Sequence, residues 1–174
     1  VTAFTGEKIT YPMKINDDWM VVRLNPVKVI GNGVDLAERS PLKLSREISH
    51  PAERHPFYSA GFSLGLPMKI VVVGHYVRRL MEDRFAVNLD MFHGNSGSPV
   101  ISLVTNEVVG LFVAGFPDLE EKPDGTIGVR EYNYNSIAEG RGGEHCQHIG
   151  QIFEDIDNLL GPELPLLSNQ PQYQ

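Results

Sequence analysis

The sequence predicts an all-β protein folded as a barrel or a sandwich. Short runs rich in apolar and β-branched residues recur along the chain, and 17 glycines with 12 prolines supply turns between them. The regular alternation of strands and long helices that a parallel α/β sheet requires is missing. A chain of 174 residues fits one domain, although all-β domains often extend to about 200 to 250 residues.

The predicted strands are WMVVRL from Trp19, VKVI from Val27, FYSAGF from Phe57, MKIVVVG from Met68, FAVNL from Phe85, PVISLV from Pro99 and EVVGLFVAG from Glu107. Thr105 and Asn106 predict the tip of a hairpin between the last two strands. Apolar residues at helical spacing predict one C-terminal helix over 149–160, which Gly161 and Pro162 end. The predicted domain therefore covers residues 1–160, and residues 161–174 form a tail without periodicity.

Charge, hydropathy and cysteine content exclude several classes of protein. The formal net charge is −7 and no basic run is longer than the pair Arg78 and Arg79, so a nucleic-acid partner is not expected. No apolar run approaches the roughly 18 residues that a membrane helix needs. Cys146 is the only cysteine, which rules out a disulfide within the chain. The motif HCQH around Cys146 is too weak to predict a metal site, and no cofactor is expected.

The N-terminal residue, Val1, indicates that a segment preceded this chain. Val1 cannot be a translation start, so we expect a segment upstream to have been removed or omitted. A signal peptide fits such a segment, and we therefore expect a secreted or periplasmic protein. The lack of disulfides does not decide the compartment, since both secreted and cytosolic proteins occur without them.

The stretch GNSGSP places one serine, Ser96, between glycines at 94 and 97. Acyl transfer requires a nucleophile on a rigid turn, N–H groups aimed at the developing oxyanion, and a base oriented by a carboxylate. Glycine at position 94 permits a backbone conformation closed to other residues, so the N–H groups of Gly94 and Ser96 can face one pocket. A tight turn without chemistry is the alternative interpretation of these glycines.

Together with the hairpin that follows it, PVISLVTNEVVGLFVAG, the GNSGSP motif resembles the nucleophile region of the chymotrypsin-like (trypsin-like) serine peptidases. Asn before the serine and Ser two residues after it are similar to the bacterial, disulfide-free branch that includes the glutamyl endopeptidases. The motif DWMVVRL resembles the strand that opens with the family's triad aspartate. This resemblance implies that Asp18 orients the catalytic histidine, with Asp17 as the alternative. The segment from Ser59 to Gly74 is similar to the first hairpin of the family's second barrel.

The resemblance covers roughly residues 17–160 and implies a chymotrypsin-like double β-barrel with a C-terminal helix, whose N-terminal barrel is incomplete in this chain. It also implies a serine endopeptidase with a polypeptide substrate. Ser96 would attack the peptide carbonyl, and the N–H groups of Gly94 and Ser96 would bind the oxyanion. An α/β-hydrolase is not expected, because its nucleophile motif ends in glycine where this chain has Ser98.

The catalytic histidine is missing from this set. The family has the order His, Asp, Ser, and no histidine precedes Asp18. All six histidines follow it, namely His50, His55, His75, His93, His145 and His148. The resemblance implies that His93 lies on the rim of the substrate pocket, on the oxyanion side of the serine. We expect His50 and His55 to lie in a solvated loop.

Two interpretations stay open. In the first, the chain is the C-terminal part of a protease whose histidine lies on an upstream segment, and that cleaved segment is then a partner of the chain. In the second, the chain is a pseudoprotease that keeps the fold and binds a peptide or protein. The first is favoured, because half of a barrel would otherwise be absent and its apolar faces uncovered.

The resemblance also predicts a substrate pocket. Asp90, six residues before Ser96, has the offset of the carboxylate that selects Arg or Lys in trypsin, although capping of the next turn is the alternative role. Gly115 and Gly128 are the candidates for the two wall glycines. Phe112, where the glutamyl endopeptidases have a histidine, argues against a preference for Glu.

Asn95 stands where trypsin-type enzymes have an aspartate that pairs with a newly cut N-terminus. A neutral amide cannot form that ion pair. We therefore expect Asn95 to hold the loop by neutral hydrogen bonds, and activity not to depend on a free N-terminal amine.

Overall fold

The computed structural model describes residues 3–9, 18–19, 21–30, 41–130 and 134–153. The strands in these ranges are β1 (Ala3–Ile9), β2 (Val21–Ile30), β3 (Pro56–Gly61), β4 (Lys69–Arg79), β5 (Arg84–Val87), β6 (Pro99–Ser102), β7 (Val108–Gly115), β8 (Leu119–Glu121), β9 (Ile127–Val129) and β10 (Glu144–His148). Helix α1 covers Tyr134–Ala138, and residues 149–153 begin a second helix, α2.

Six strands close into an antiparallel barrel in the order β10-β5-β4-β3-β6-β7. Every one of these strands contributes to the apolar interior, which includes Phe57, Tyr76, Phe85, Val100 and Phe112. Closure pairs each strand on both sides, so the barrel has no open edge. The predicted all-β fold class is confirmed.

The residues before the barrel form a separate antiparallel sheet of β1 and β2. β2 is one strand where the sequence predicted two, because Pro26 does not interrupt it; a strand in a two-stranded sheet has a free edge that tolerates proline. Within the described residues this sheet does not close into a barrel of its own. The N-terminal barrel of the chymotrypsin-like fold is thus incomplete in this part of the chain, as expected.

Trp19 connects the start of β2 to the barrel. It packs against the apolar cluster formed by Leu111 of β7 with Ile149, Ile152 and Phe153 of α2. This contact links the residue just before β2 to the start of the C-terminal helix.

The hairpin of β6 and β7 has a longer tip than predicted. β6 ends at Ser102, where the sequence predicted a strand to Val104, and Ser102 N–H donates to the Glu107 carbonyl at 2.9 Å. The Ser102 hydroxyl accepts hydrogen bonds from the N–H groups of Val104 and Thr105, which draws these residues out of the ladder. Asn106 completes the turn with φ of 56°, a left-handed conformation that asparagine tolerates.

Strands β1, β8, β9 and β10 and helix α1 were not predicted from the sequence. The predicted C-terminal helix begins at residue 149 as expected, and its remainder, like the tail 161–174, lies outside the described residues. No helix in the described part of the chain is long and apolar enough to cross a membrane.

Candidate active site

Ser96 lies on an exposed loop that connects β5 to β6. Gly94 and Gly97 adopt φ of 97° and 85°, left-handed conformations that favour glycine and turn the chain sharply on each side of the serine. The loop is attached to β7, because Gly97 N–H donates to the Phe112 carbonyl at 2.7 Å and Phe112 N–H donates to the Ser98 carbonyl at 2.9 Å. The serine hydroxyl is therefore presented to solvent by a backbone that is held in place.

Asn95 anchors the other side of the loop. The residue is 2% exposed, and its Nδ2 donates to Ser63 Oγ at 2.7 Å and to the Phe92 carbonyl at 2.9 Å. A Cβ added at Gly61 would collide with Asn95 Oδ1 and Ser98 Oγ, so only a glycine there leaves room for the loop. The neutral hydrogen bonds expected of Asn95 are thus present.

The two N–H groups assigned to the oxyanion hole are those of Gly94 and Ser96. Within the described residues neither donates a hydrogen bond, and both residues are exposed. An oxyanion hole needs hydrogen-bond donors that are not already engaged, and these two N–H groups meet that requirement. Their role in binding an oxyanion stays a prediction.

Asp18 is exposed and lies in the chain just before β2, while Asp17 is outside the described residues. Its neighbour Trp19 packs in the same cluster as Leu111, and the residue after Leu111, Phe112, bonds to the serine loop. The orienting role of Asp18 stays a prediction.

None of the described hydrogen bonds joins a histidine side chain to Ser96. The expectation that His50 and His55 are solvated is wrong, because both are half-buried against the barrel. His55 Nε2 lies 2.8 Å from Ser102 Oγ, and the ring of His50 packs against the ring of His148 with 5.2 Å between centroids. Burial lowers the pKa of His55.

The backbone of His93 is fixed by two hydrogen bonds, and its side chain is exposed. Its N–H donates to Asp118 Oδ2 at 2.7 Å, and its carbonyl accepts from Leu64 N–H at 2.8 Å. These bonds fix the start of the serine loop between β8 and the turn that follows β3. The position of His93 beside the loop is compatible with the rim role, which stays a prediction.

The HCQH motif forms most of strand β10. Cys146 is fully buried in the barrel core, and burial raises the pKa of its thiol well above its ordinary value. His148 is 2% exposed, with Nε2 3.1 Å from the Ser49 carbonyl. Among the described residues no group of His, Cys, Asp and Glu side chains is arranged to hold a metal ion.

A cavity of about 340 Å³ opens beside the serine loop and is lined by Asp90 and Phe92, among other residues. Asp90 is exposed, whereas the buried carboxylate of this cavity belongs to Glu144, which the sequence did not indicate. Glu144 in β10 pairs with Gly115 in β7, and a Cβ at Gly115 would collide with Glu144 Oε2. Gly128 does not line the cavity and lies in β9, where it pairs with Glu120 of β8.

Glu144 is 7% exposed, and burial, followed by the negative charges of Asp118 and Asp90, raises its pKa to about 8. A backbone hydrogen bond from Met91 acts in the opposite direction. The short polar strand EHCQH lacks the alternation that marks a half-buried strand, so no local pattern distinguishes Glu144 from a surface glutamate.

No protein-family model matches the sequence, and no curated protein matches it. The comparison with solved structures identifies the fold as that of the chymotrypsin-like serine peptidases. The structure of kallikrein-related peptidase 10 matches with a TM-score of 0.55 over 91% of this chain and 72% of that chain. The two sequences are 13% identical, so the similarity shows the shared fold.

Proposed function

We propose that this chain carries the nucleophile of a serine endopeptidase that hydrolyses peptide bonds through an acyl-enzyme on Ser96. The observation that carries the proposal is the exposed Ser96 on a loop anchored by Asn95 on one side and by Gly97 and Ser98 on the other. Rigid presentation matters for an attacking atom, because a misplacement of about 1 Å can cost roughly 100-fold in rate.

In the proposed reaction Ser96 Oγ attacks the carbonyl carbon of a polypeptide, and its proton passes to a histidine. The N–H groups of Gly94 and Ser96 stabilise the negative charge on the carbonyl oxygen. The histidine then protonates the leaving amine, and water hydrolyses the acyl-enzyme with the same histidine as base. Asp18 holds this histidine in the required tautomer.

The proposal requires a histidine from outside these 174 residues. Chain order in the resembling family puts the base before Asp18, where residues 1–17 contain none. A cleaved N-terminal segment that stays associated is the candidate source. The packing of Trp19 against Ile149, Ile152 and Phe153 supports docking of the region around Asp18 on the barrel.

A fluorophosphonate probe tests the proposal, because it labels a serine only where the hydroxyl is activated. Protein purified from its natural source should label at Ser96, as located by mass spectrometry. Expressed together with the histidine-bearing segment, the variant Ser96→Ala should not label, whereas Ser49→Ala, on an exposed loop, should label normally. Intact mass and N-terminal sequencing of the same material identify any accompanying segment. Absence of labelling in a folded sample that contains a histidine-bearing segment would refute the proposal.

A second candidate function is binding of a peptide or protein without catalysis. The observation that favours it is an exposed apolar patch formed by Phe62, Leu64, Leu66, Met68 and Ile70. The patch adjoins the serine loop, since Leu64 N–H bonds to the His93 carbonyl. Exposed apolar patches often mark surfaces that bind other proteins. A sample that binds peptides but is never labelled at Ser96 would establish this function instead.

A further inference from the structure

Segment 45–50, which precedes β3, lies across the junction between β10 and α2. The Ser49 carbonyl lies 3.1 Å from Nε2 of His148, the last residue of β10. Gly150 in α2 makes the close approach possible, because a Cβ at this position would collide with the Glu47 carbonyl. The segment therefore contacts both the end of β10 and the start of α2.

The imidazole ring of His148 makes its two contacts in one protonation state. Its Nε2 faces the Ser49 carbonyl, which can only accept a hydrogen bond, so Nε2 carries the proton. Its Nδ1 accepts a hydrogen bond of 3.1 Å from the Gly150 N–H. Because α2 begins at Ile149, this is the bond that a capping side chain makes to the second residue of a helix. The neutral imidazole of His148 is thus the N-cap of α2.

The protonated form of His148 does not fit these surroundings. A proton on Nδ1 turns the acceptor into a donor that faces the Gly150 N–H, and it adds a positive charge beside the N–H groups at the start of the helix. His148 is 2% exposed, and burial lowers its pKa. The positive charge of His50 acts in the same direction, whereas the Ser49 carbonyl and the negative charge of Glu47 oppose it.

Other charged and titratable groups lie on the elements that pack against His148. They are Arg46, Glu47 and His50 of segment 45–50, Tyr76 of β4, Asp83 in the turn after β4, and Arg84 of β5. Of these residue types only histidine ordinarily titrates between about pH 5 and 7. His50 Nε2 lies 2.8 Å from the Glu82 carbonyl, and its buried Nδ1 has no hydrogen-bond partner among the described residues. A proton on that nitrogen therefore finds no acceptor either.

We propose that His148 is an acid-sensitive N-cap, whose protonation detaches the start of α2 from segment 45–50 and releases Trp19 from the residues it packs against. These residues are Ile149, Ile152 and Phe153. Because the pKa of His148 is lowered in the folded chain, the contact is complete above the ordinary value of 6.5 and is lost as the pH falls below it. Trp19 follows Asp18 directly, so acid loosens the chain just before β2. The inference does not rest on the proposed endopeptidase function.

Trp19 is the only tryptophan of the chain, so its fluorescence reports the contact directly. We expect its emission maximum to move to longer wavelength as the pH falls from about 7.5 to about 5, while the far-UV circular dichroism of the barrel stays constant. The carboxyl of Glu144, with a pKa of about 8, is protonated in the folded chain over most of this range and does not cause the shift.

NMR of the wild-type protein measures the same event at the histidine. The ¹⁵N shifts of the His148 ring should identify the form with the proton on Nε2 at neutral pH. The exchange protection factor of the Gly150 N–H should fall by about tenfold on acidification, as loss of one capping bond implies.

His148→Asn is the test variant, because asparagine caps helices and does not titrate. Its Trp19 emission should not shift between about pH 7.5 and 5. His93→Asn is the matched control, since it removes an exposed histidine and should shift as the wild type does. A thermal melt shows whether each variant is folded, and the NMR measurements on the wild type decide if His148→Asn is not.

Four results would overturn the inference. They are constant wild-type emission over this range, an undiminished shift in folded His148→Asn, a ring of His148 with its proton on Nδ1 at neutral pH, and unchanged protection of the Gly150 N–H on acidification. A shift that coincides with loss of the circular dichroism signal would also contradict it, because the event would then be unfolding of the whole barrel.

Discussion

Asn95 and Ser63 share a buried hydrogen bond, 2.7 Å long from Asn95 Nδ2 to Ser63 Oγ. It connects the serine loop to the turn between β3 and β4, and the second Nδ2 bond, to the Phe92 carbonyl, closes the loop on itself. Both bonds require an amide donor. The loop is therefore held by a neutral group that needs no charged partner.

We expect Asn95→Asp to destabilise the fold by about 2 to 4 kcal/mol, because a buried carboxylate cannot donate to Ser63 or Phe92 and brings an unpaired charge. Urea denaturation at neutral pH measures the effect. Asn106→Asp is the control, since Asn106 uses its Oδ1 as an acceptor for the Tyr58 hydroxyl and aspartate keeps that acceptor. Equal stability of the two variants would contradict the anchoring role of Asn95.

Activity should not depend on a free N-terminal amine, since the neutral Asn95 side chain has no charge with which to pair. Selective acetylation of the N-terminus should leave fluorophosphonate labelling of Ser96 unchanged. A sample with modified lysines and a free N-terminus controls for side reactions. Loss of labelling on N-terminal acetylation alone would show that the loop relies on the ion pair after all.

Gly61→Ala should displace the serine loop, because the added Cβ collides with Asn95 Oδ1 and Ser98 Oγ. We expect a loss of about 1 to 3 kcal/mol in the free energy of unfolding and weaker labelling of Ser96. Gly125→Ala is the comparison, since nothing lies near its added Cβ and its cost is limited to about 1 kcal/mol of left-handed backbone strain. Undiminished labelling in folded Gly61→Ala would refute the expected displacement.

The raised pKa of Glu144 predicts that stability falls with increasing pH. Below the ordinary value of 4.5 the carboxyl is protonated in both states, whereas between 4.5 and about 8 it is ionised in the unfolded state alone. Unfolding then releases a proton, so the free energy of unfolding decreases across this window by about 1.4 kcal/mol per pH unit.

Glu144→Gln should remove this decrease, because glutamine does not titrate. The difference in stability between the variant and the wild type should therefore grow from pH 5 to pH 8 in urea denaturation. Glu139→Gln should keep the wild-type slope, since its carboxylate is exposed. Parallel pH profiles for wild type and Glu144→Gln would contradict the raised pKa.

Cys146 should be unreactive in the native protein, because it is fully buried and burial raises the pKa of its thiol. Ellman's reagent should modify one thiol per chain in denaturant and none without it. Native material that reacts rapidly would show that β10 opens readily. Added zinc should not change the result, since the motif HCQH places its thiol inside the barrel.

The serine loop could be predicted from the sequence because its determinants are local. GNSGSP contains the two glycines that adopt positive φ and the asparagine whose amide closes the turn. The two strands that follow it, β6 and β7, are apolar runs separated by a turn signal, which is the pattern that a hairpin requires. Because Asn95 stands in place of an aspartate, the sequence also predicted that the serine loop is held by hydrogen bonds of an uncharged side chain.

The charge of the cavity was decided by tertiary structure. The resemblance pointed to Asp90, by its offset from Ser96, and to Gly128 as a wall glycine, but the carboxylate that is buried beside Gly115 is Glu144. That contact depends on the register between β10 and β7, which barrel closure sets between residues far apart in the chain. Likewise His50 and His55 lie in a polar segment and are half-buried only because the barrel packs against it. Local sequence determines a turn or a hairpin, whereas burial of a polar side chain depends on which distant strand covers it.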